Sequence, residues 1–402
     1  MSSVLSIESS EIALAGWAHS IERSALQDML ALCGGRELIS FALGLPAPNQ
    51  FPIKAIERSI LKVLGSEPRA LQYSPPLQIL KQQVQSLMRE RGVDCRTEQI
   101  FLTCGAQQGM NLLARLLLDA GHRKVMLEQL VYPGFQQILT TLQADLLTVP
   151  TDSESGMDVD AVESVLDSGA RPAFVYAVTD GHNPLGVSMC KPNRIRLVEL
   201  AREYGVPIVE DDAYGFLHYE QDSIPPLRAL DEDWVLYVGS FSKILAPSLR
   251  VGWIIVPEKL MSSLSIIKEA TDIDTATLAQ RTVSAYLESG CHEAHLRNLR
   301  SLYCSRRDAM LRSLEDHFPR EARWHKPTSG FFIWVELPAT INTSDLLKVA
   351  IEEENVAFIP GEVFNVGTRR CATNSLRLNF SHPSTECIEV GIARLGRLIS
   401  RY

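Results

Sequence analysis

Between about residue 98 and residue 257, short apolar runs alternate with segments long enough for helices. The runs Gln99–Cys104, Lys124–Leu127, Asp145–Val149, Pro172–Val178, Pro207–Glu210, Trp234–Gly239 and Val251–Val256 are rich in β-branched and aromatic residues, and each predicts a strand. Alternation of this kind predicts an α/β domain with helices on both faces of its sheet. The link from Gly239 to Val251 is too short for a crossover helix, so the last strand is expected to run antiparallel to its predecessor in a mixed, mostly parallel sheet. From Glu258 to about His317 the pattern changes to a long helical region, with Leu296, Leu299, Leu302 and Met310 at near-helical spacing, which would link two domains. Strand-like Gly330–Pro338, helix-like Thr343–Asn355, strand-like Leu376–Phe380 and a final helix ending near Ser400 then predict a smaller α+β domain. The expected division is an N-terminal segment, 1–50, packed on the small domain, a large α/β domain over 51–285, and the small domain over 286–402. No internal repeat or low-complexity tract interrupts this order.

A chain of 402 residues can bury a core of that size. Acidic residues outnumber basic ones, 48 to 39, and no block of Lys or Arg stands out. Nucleic acid and anionic membrane are therefore not expected partners, and a small-molecule substrate is. The N-terminus lacks a basic region followed by an apolar run, and no later apolar stretch is long enough to span a bilayer, so a cytoplasmic protein is expected. Eight cysteines are scattered without a CxxC pair, which predicts reduced, mostly buried thiols rather than a zinc site or disulfide framework. His292 and His295 have no further ligand cluster beside them and read as a solvated helix face; no metal site is expected.

The segment Ser240-Phe-Ser-Lys243-Ile-Leu-Ala-Pro-Ser-Leu-Arg250 lies between two predicted strands. As a bare pattern it is a surface lysine in a polar hairpin. Partial desolvation or nearby cations would instead let Lys243 lose its proton and form a Schiff base with an aldehyde. Ser240, Ser242 and Arg250 supply two hydroxyls and a guanidinium fork, the groups a phosphate requires. Together they suit pyridoxal 5′-phosphate (PLP). Upstream, Thr103-Cys-Gly-Ala-Gln-Gln-Gly109 passes from strand to helix, so Gly105, Ala106 and Gln107 would offer free N–H groups at a positive helix end to the same phosphate. Glu210-Asp-Asp-Ala-Tyr214 ends a strand at the carboxyl edge, where open α/β sheets bind ligands.

With these residues in view the chain resembles the fold-type I PLP enzymes of the class I and II aminotransferase group, and within it the 2-aminoadipate and multi-substrate aminotransferases. The likeness runs from Ile39-Ser-Phe-Ala-Leu-Gly-Leu-Pro46 to Leu376-Arg-Leu-Asn-Phe-Ser381. It implies that Lys243 anchors PLP and moves the Cα proton, that Asp211 holds the pyridine nitrogen protonated, and that Asn183 and Tyr214 bond the phenolic oxygen. By the same resemblance Tyr132 stacks on the ring, Arg377 grips the substrate α-carboxylate with a bidentate pair, and Tyr73 reaches across a homodimer interface to the neighbouring phosphate. Taken alone, Tyr132 is a core or turn aromatic, Arg377 a surface ion-pair residue, and the adjacent acids Asp211 and Asp212 half of a metal site.

Several positions depart from the family pattern. Leu185 stands in Asn183-Pro-Leu-Gly186 where Thr is common, and His182 where Gln is common in this subgroup; both are expected to reshape the substrate side. Pro75-Pro76 shortens the loop after Tyr73. Side-chain selectivity is expected from loops near Leu43, Gly44 and Leu185 and from the segment around Trp17, with Gly44 and Asn183 also at the substrate.

The activity implied is ping-pong transfer of an amino group from an amino acid to a 2-oxo acid. The alternatives are another PLP reaction, such as a lyase, oxidase or cyclase, and a ligand-sensing domain like those fused to transcription regulators. With only a short tract before Ile39, the DNA-binding segment that such regulators carry is not expected.

Overall fold

The computed structural model describes residues 12, 16–19, 38–220, 224–367 and 371–402. Seven strands form the central sheet: β1 (Ile100–Thr103), β2 (Lys124–Glu128), β3 (Asp145–Val149), β4 (Phe174–Ala177), β5 (Ile208–Asp211), β6 (Val235–Ser240) and β7 (Gly252–Ile255). Their spatial order is β1-β7-β6-β5-β4-β2-β3. All pairings are parallel except those of β7, which runs antiparallel to both neighbours. The short link before β7 leaves no other geometry. Strands β1, β4, β5, β6 and β7 bury every residue, as a sheet covered on both faces must. Alternation divides the faces: Val125 and Leu127 join one core with Phe135 and Phe174, while Met126 joins the other with Val175, Ile208 and Leu197.

A second, antiparallel sheet has the order β8 (Arg323–Trp324), β9 (Phe332–Glu336), β11 (Ser375–Asn379), β10 (Ile359–Pro360). Ile39–Ser40 pairs in parallel with Val356–Ala357, which brings the segment after it, Phe41 to Leu45, towards both sheets.

The helical region after β7 is three helices rather than one: α1 (Met261–Asp272), α2 (Thr277–Glu288) and α3 (His292–His317). The breaks fall at Ile273 and Gly290, whose φ angles of 68° and 72° end a right-handed helix. His292 is not on a solvated face: it is 5% exposed and stacks edge-on against Tyr286. Tyr286 of α2 packs edge-on against both His292 and His295 of α3. The cysteine expectation also fails in part. Of the described cysteines Cys95 is buried, Cys190 and Cys387 are exposed, and Cys104, Cys291, Cys304 and Cys371 are intermediate, all with free thiols; Cys33 lies outside the described residues. No described helix is long and apolar enough to cross a membrane.

Candidate active site

The carboxyl ends of β1, β5 and β6 and the start of β7 meet at one edge of the central sheet, where Gly252 lies opposite both Thr103 and Ser240. The turn between β6 and β7 therefore overhangs this edge and carries Lys243 into a cavity facing the second sheet. Lys243 Nζ donates to the Gly44 carbonyl at 2.7 Å. Burial, reinforced by the Arg377 and Arg250 cations and opposed by Asp211, brings the amine down to about 8. A substantial neutral fraction near that pH makes it a competent nucleophile and base.

Asp211 ends β5 at the cavity floor. Tyr176, on the neighbouring strand β4, donates its hydroxyl to Oδ2 at 2.8 Å, while Oδ1 is buried without a partner. Burial raises this carboxyl to about 6; Asp212 adds to the rise, whereas the Tyr176 bond and the charges of His182 and Lys243 oppose it.

At the other end of the cavity, helix Ala106–Leu117 starts after Gly105, which has φ of 89°. Arg250, itself left-handed at φ 52°, donates from Nη2 to the Cys104 carbonyl at 2.8 Å and from Nη1 to Ser242 Oγ at 3.5 Å. Ser240 Oγ donates to Ser242 Oγ at 3.0 Å. A Cβ on Gly105 would stand 2.7 Å from Arg250 Nη2, so the backbone turn and the guanidinium approach closely only because residue 105 is glycine. Cationic fork, hydroxyls and helix N-terminus converge here.

Arg377 lies in the middle of β11, opposite Trp334 and Ile359. Its strand is buried throughout, so alternation turns the side chain into the cavity rather than to solvent. The guanidinium donates to Asn183 Oδ1 at 2.7 Å and to the Ala42 carbonyl. It lies 4.2 Å from the ring centroid of Phe332 and 4.9 Å from that of Phe364. Its Nε is buried and unpartnered. Burial lowers the group to about 10, which leaves it cationic at neutral pH.

Of the residues expected from sequence, Gly44, Ala106, Gln107, Tyr132, Asn183, Asp211, Tyr214, Ser240, Ser242, Lys243, Arg250 and Arg377 line this one cavity, with Gly105 against Arg250 at its edge. Tyr73 is elsewhere: it is 77% exposed and lines a separate cleft with Asp272 and Thr275. Leu185 and His182 do not line this cavity. Leu185 packs in an apolar cluster with Leu43, Leu130, Trp334 and Ile359 between the two sheets, which accounts for an apolar residue there. His182 is buried against Glu128. Sequence reasoning missed Tyr176 and Phe332. The only sequence signal for either was its place in a strand, Phe174-Val-Tyr176 or Gly330-Phe-Phe332, and such positions usually belong to core.

The geometry defines a class of protein, an α/β enzyme with a desolvated lysine, a buried carboxyl group, an arginine beside two serines at a helix N-terminus and a second, buried arginine around one cavity. The sequence profile of the family "Aminotransferase class I and II" matches residues 38–395, and the chain belongs to that family. It is 36% identical to aromatic-amino-acid aminotransferase 1 of Thermococcus litoralis, over 95% of this chain and 93% of that protein. A structure of Pyrococcus horikoshii kynurenine aminotransferase superposes with TM-score 0.90 at 34% identity, covering 96% of this chain and 97% of that one. An α-aminoadipate aminotransferase of Thermus thermophilus, solved with N-(5′-phosphopyridoxyl)-L-leucine, gives TM-score 0.89 at 34% identity, with 96% and 97% covered. The fold is therefore fold type I, and the protein is a PLP-dependent aminotransferase acting on amino acids and 2-oxo acids. These relatives do not favour a lyase, oxidase or cyclase reading.

The site fits that cofactor on its own geometry. Asp211 Oδ1 is a buried acceptor with nothing to accept from, as a protonated ring nitrogen would require. The Gly105–Arg250 cradle would be filled by any Cβ.

Proposed function

We propose that this chain transfers the α-amino group of an amino acid with Lys243 as cofactor anchor and proton carrier, Asp211 facing the pyridine nitrogen, and Arg377 holding the substrate carboxylate. The phosphate would be held by Gly105, Ala106, Gln107, Ser240, Ser242 and Arg250, the phenolic oxygen by Asn183 and Tyr214, and the ring face by Tyr132. PLP supplies an electron sink for the carbanion formed at Cα. The protein's part is to present groups at fixed places. Lys243, held by the Gly44 carbonyl and lowered to about 8, can take and return the Cα proton. Arg377 is gripped between two rings and tied to Asn183, so carboxylate binding and the Asn183 amide are set together. Clustering of these side chains in one cavity is the observation that carries the reading.

The expected division, with a segment 1–50, a large domain 51–285 and a small domain 286–402, is retained as part of this proposal; the two separate sheets support it. So is a homodimer in which Tyr73 completes a partner's site, which would cover the exposed Leu71 and Tyr73. A cytoplasmic role in amino-acid biosynthesis is supported by free described thiols and by likeness to the α-aminoadipate enzyme. The test is spectral titration of the holoenzyme with a panel of amino acids and no oxo acid. Stoichiometric loss of the yellow cofactor band, restored by a 2-oxo acid, is expected. Continued turnover without an acceptor would overturn the assignment.

A further inference from the structure

Two adjacent strands bring a phenol under a carboxyl group of the cavity. In the β4–β5 pairing Tyr176 lies opposite Val209, and Asp211 follows Val209 by two residues. Side chains two apart on a strand share a face, so Tyr176, Val209 and Asp211 project on the same side of the sheet, where Tyr176 and Val209 join the core that contains Phe135. Two residues of strand rise about 6–7 Å, the reach of a tyrosine leaning along its strand. The Tyr176 hydroxyl accordingly ends 2.8 Å from Asp211 Oδ2. Its ring is fixed in place: it is 2% exposed and stacks on Phe135 with centroids 3.8 Å apart and planes 17° from parallel.

An ionised carboxylate has no hydrogen to give, and a phenol has one. Tyr176 therefore donates to Oδ2, and among the described residues it is the one side chain that hydrogen-bonds this carboxyl group. Oδ1 is buried without a partner. Asp211 lines the cavity and Tyr176 does not, so a ligand there would meet the carboxyl group rather than the phenol. The other titratable groups near Asp211 are Tyr132 at the start of helix Pro133–Thr141, Asp212 and Tyr214 just after β5, His182 in the turn after β4 and Lys243 in the turn after β6, with Glu128 on β2 near Tyr176. Each of these acts on Asp211 through space, whereas Tyr176 acts through a bond to one named oxygen. Burial raises Asp211 to about 6, and the Tyr176 hydrogen bond is the strongest influence in the opposite direction.

We propose that Tyr176 is a positioning residue for amino-group transfer: its hydroxyl occupies Oδ2 and holds the Asp211 carboxylate in the one orientation that leaves Oδ1 for the pyridine nitrogen. This rests on the assignment of Asp211 made above. A hydroxyl so placed fixes the rotamer of Asp211 and also favours its ionised form, the form that a protonated ring nitrogen needs as its partner.

Tyr176→Phe keeps the ring on Phe135 and removes only the hydroxyl. In cofactor-free protein carrying ¹³C-carboxyl aspartate, the Asp211 signal is assigned by its loss in Asp211→Asn. It is expected to titrate at least about 0.5 pH unit higher in Tyr176→Phe than in wild type. PLP affinity, read by absorbance titration, and kcat of the cofactor-saturated enzyme are each expected to fall about threefold or more, with KM for the amino acid within about twofold. A tyrosine that only fills the core would be replaced by phenylalanine without these changes. An unmoved Asp211 titration, or cofactor affinity and kcat both within about twofold of wild type, overturns the proposal. Should Tyr176→Phe not fold, 3-fluorotyrosine installed at position 176, a more acidic donor, is expected to lower the Asp211 titration by about 0.3 pH unit, and the absence of any downward shift overturns the proposal equally. Asp211→Asn separates the two ideas: full activity in that variant sinks the Asp211 assignment and this proposal with it, whereas an inactive Asp211→Asn beside a Tyr176→Phe of wild-type behaviour sinks only this one.

Discussion

Replacing Asp211 by Asn should change how the cofactor-free protein's stability depends on pH, by an amount the structure sets. Burial raises the folded-state carboxyl from 3.8 to about 6, so the folded protein keeps a proton that the unfolded chain has released. Stability from this group is full below about pH 3.8 and is lost as pH rises through about 6. The total is about 3 kcal/mol, of which about 2 kcal/mol is lost between pH 4 and 6.5. An amide does not titrate, so Asp211→Asn should gain about 2 kcal/mol relative to wild type across that interval. Any fixed cost of the new amide cancels in the comparison. Lys243, at about 8, stays mostly charged over this range. The assay is urea unfolding of both cofactor-free proteins at pH 4, 5, 6 and 6.5. A difference between them that is constant within about 0.5 kcal/mol would refute the claim that the fold raises this carboxyl by burying it.

Three further outcomes are expected. Arg377→Lys loses the planar fork held between Phe332 and Phe364 and should raise KM for both amino acid and oxo acid at least about tenfold, with a smaller change in kcat; steady-state kinetics with unchanged KM would contradict a carboxylate role. Gly105→Ala forces a Cβ to 2.7 Å from Arg250 at a positive φ, and should weaken cofactor binding about tenfold or more in an absorbance titration. Leu185→Thr places a hydroxyl in the apolar cluster between the sheets; it should cost about 2 kcal/mol in unfolding measurements while leaving KM within about twofold, and a selective change in substrate preference would return Leu185 to the substrate side.

Much of the site was legible because its chemistry is local. Lys243, its serines and Arg250 sit in one turn, Gly105 and Gln107 at one strand-to-helix junction, and Asp211 at the end of an apolar run, so strand prediction put each at a strand end and the family resemblance joined them in one site. The antiparallel β7 followed from a link too short to cross the sheet. Positions set by long-range packing were less legible. His292 looked solvated because two histidines three apart suit an exposed helix face, yet Tyr286 and the turn into α3 bury it. Leu185 and His182 stand beside Asn183 in the chain, but only Asn183 lines the cavity, because adjacent residues of a turn point in different directions.

The sequence by itself determined the order of strands and helices, the apolar faces that sandwich the central sheet, and the residue types of the cofactor chemistry. These depend on periodicity, propensity and short spacings within one segment. Tertiary structure alone decided what surrounds each group: Tyr176 beneath Asp211, Phe332 and Phe364 around Arg377, the Gly44 carbonyl on Lys243, and Glu128 behind His182. Those partners come from segments far apart in the chain, and the burial they create lowers Lys243 towards the range where an amine can exchange protons and raises Asp211. Desolvation depends on every neighbour at once, so it exists only in the folded molecule.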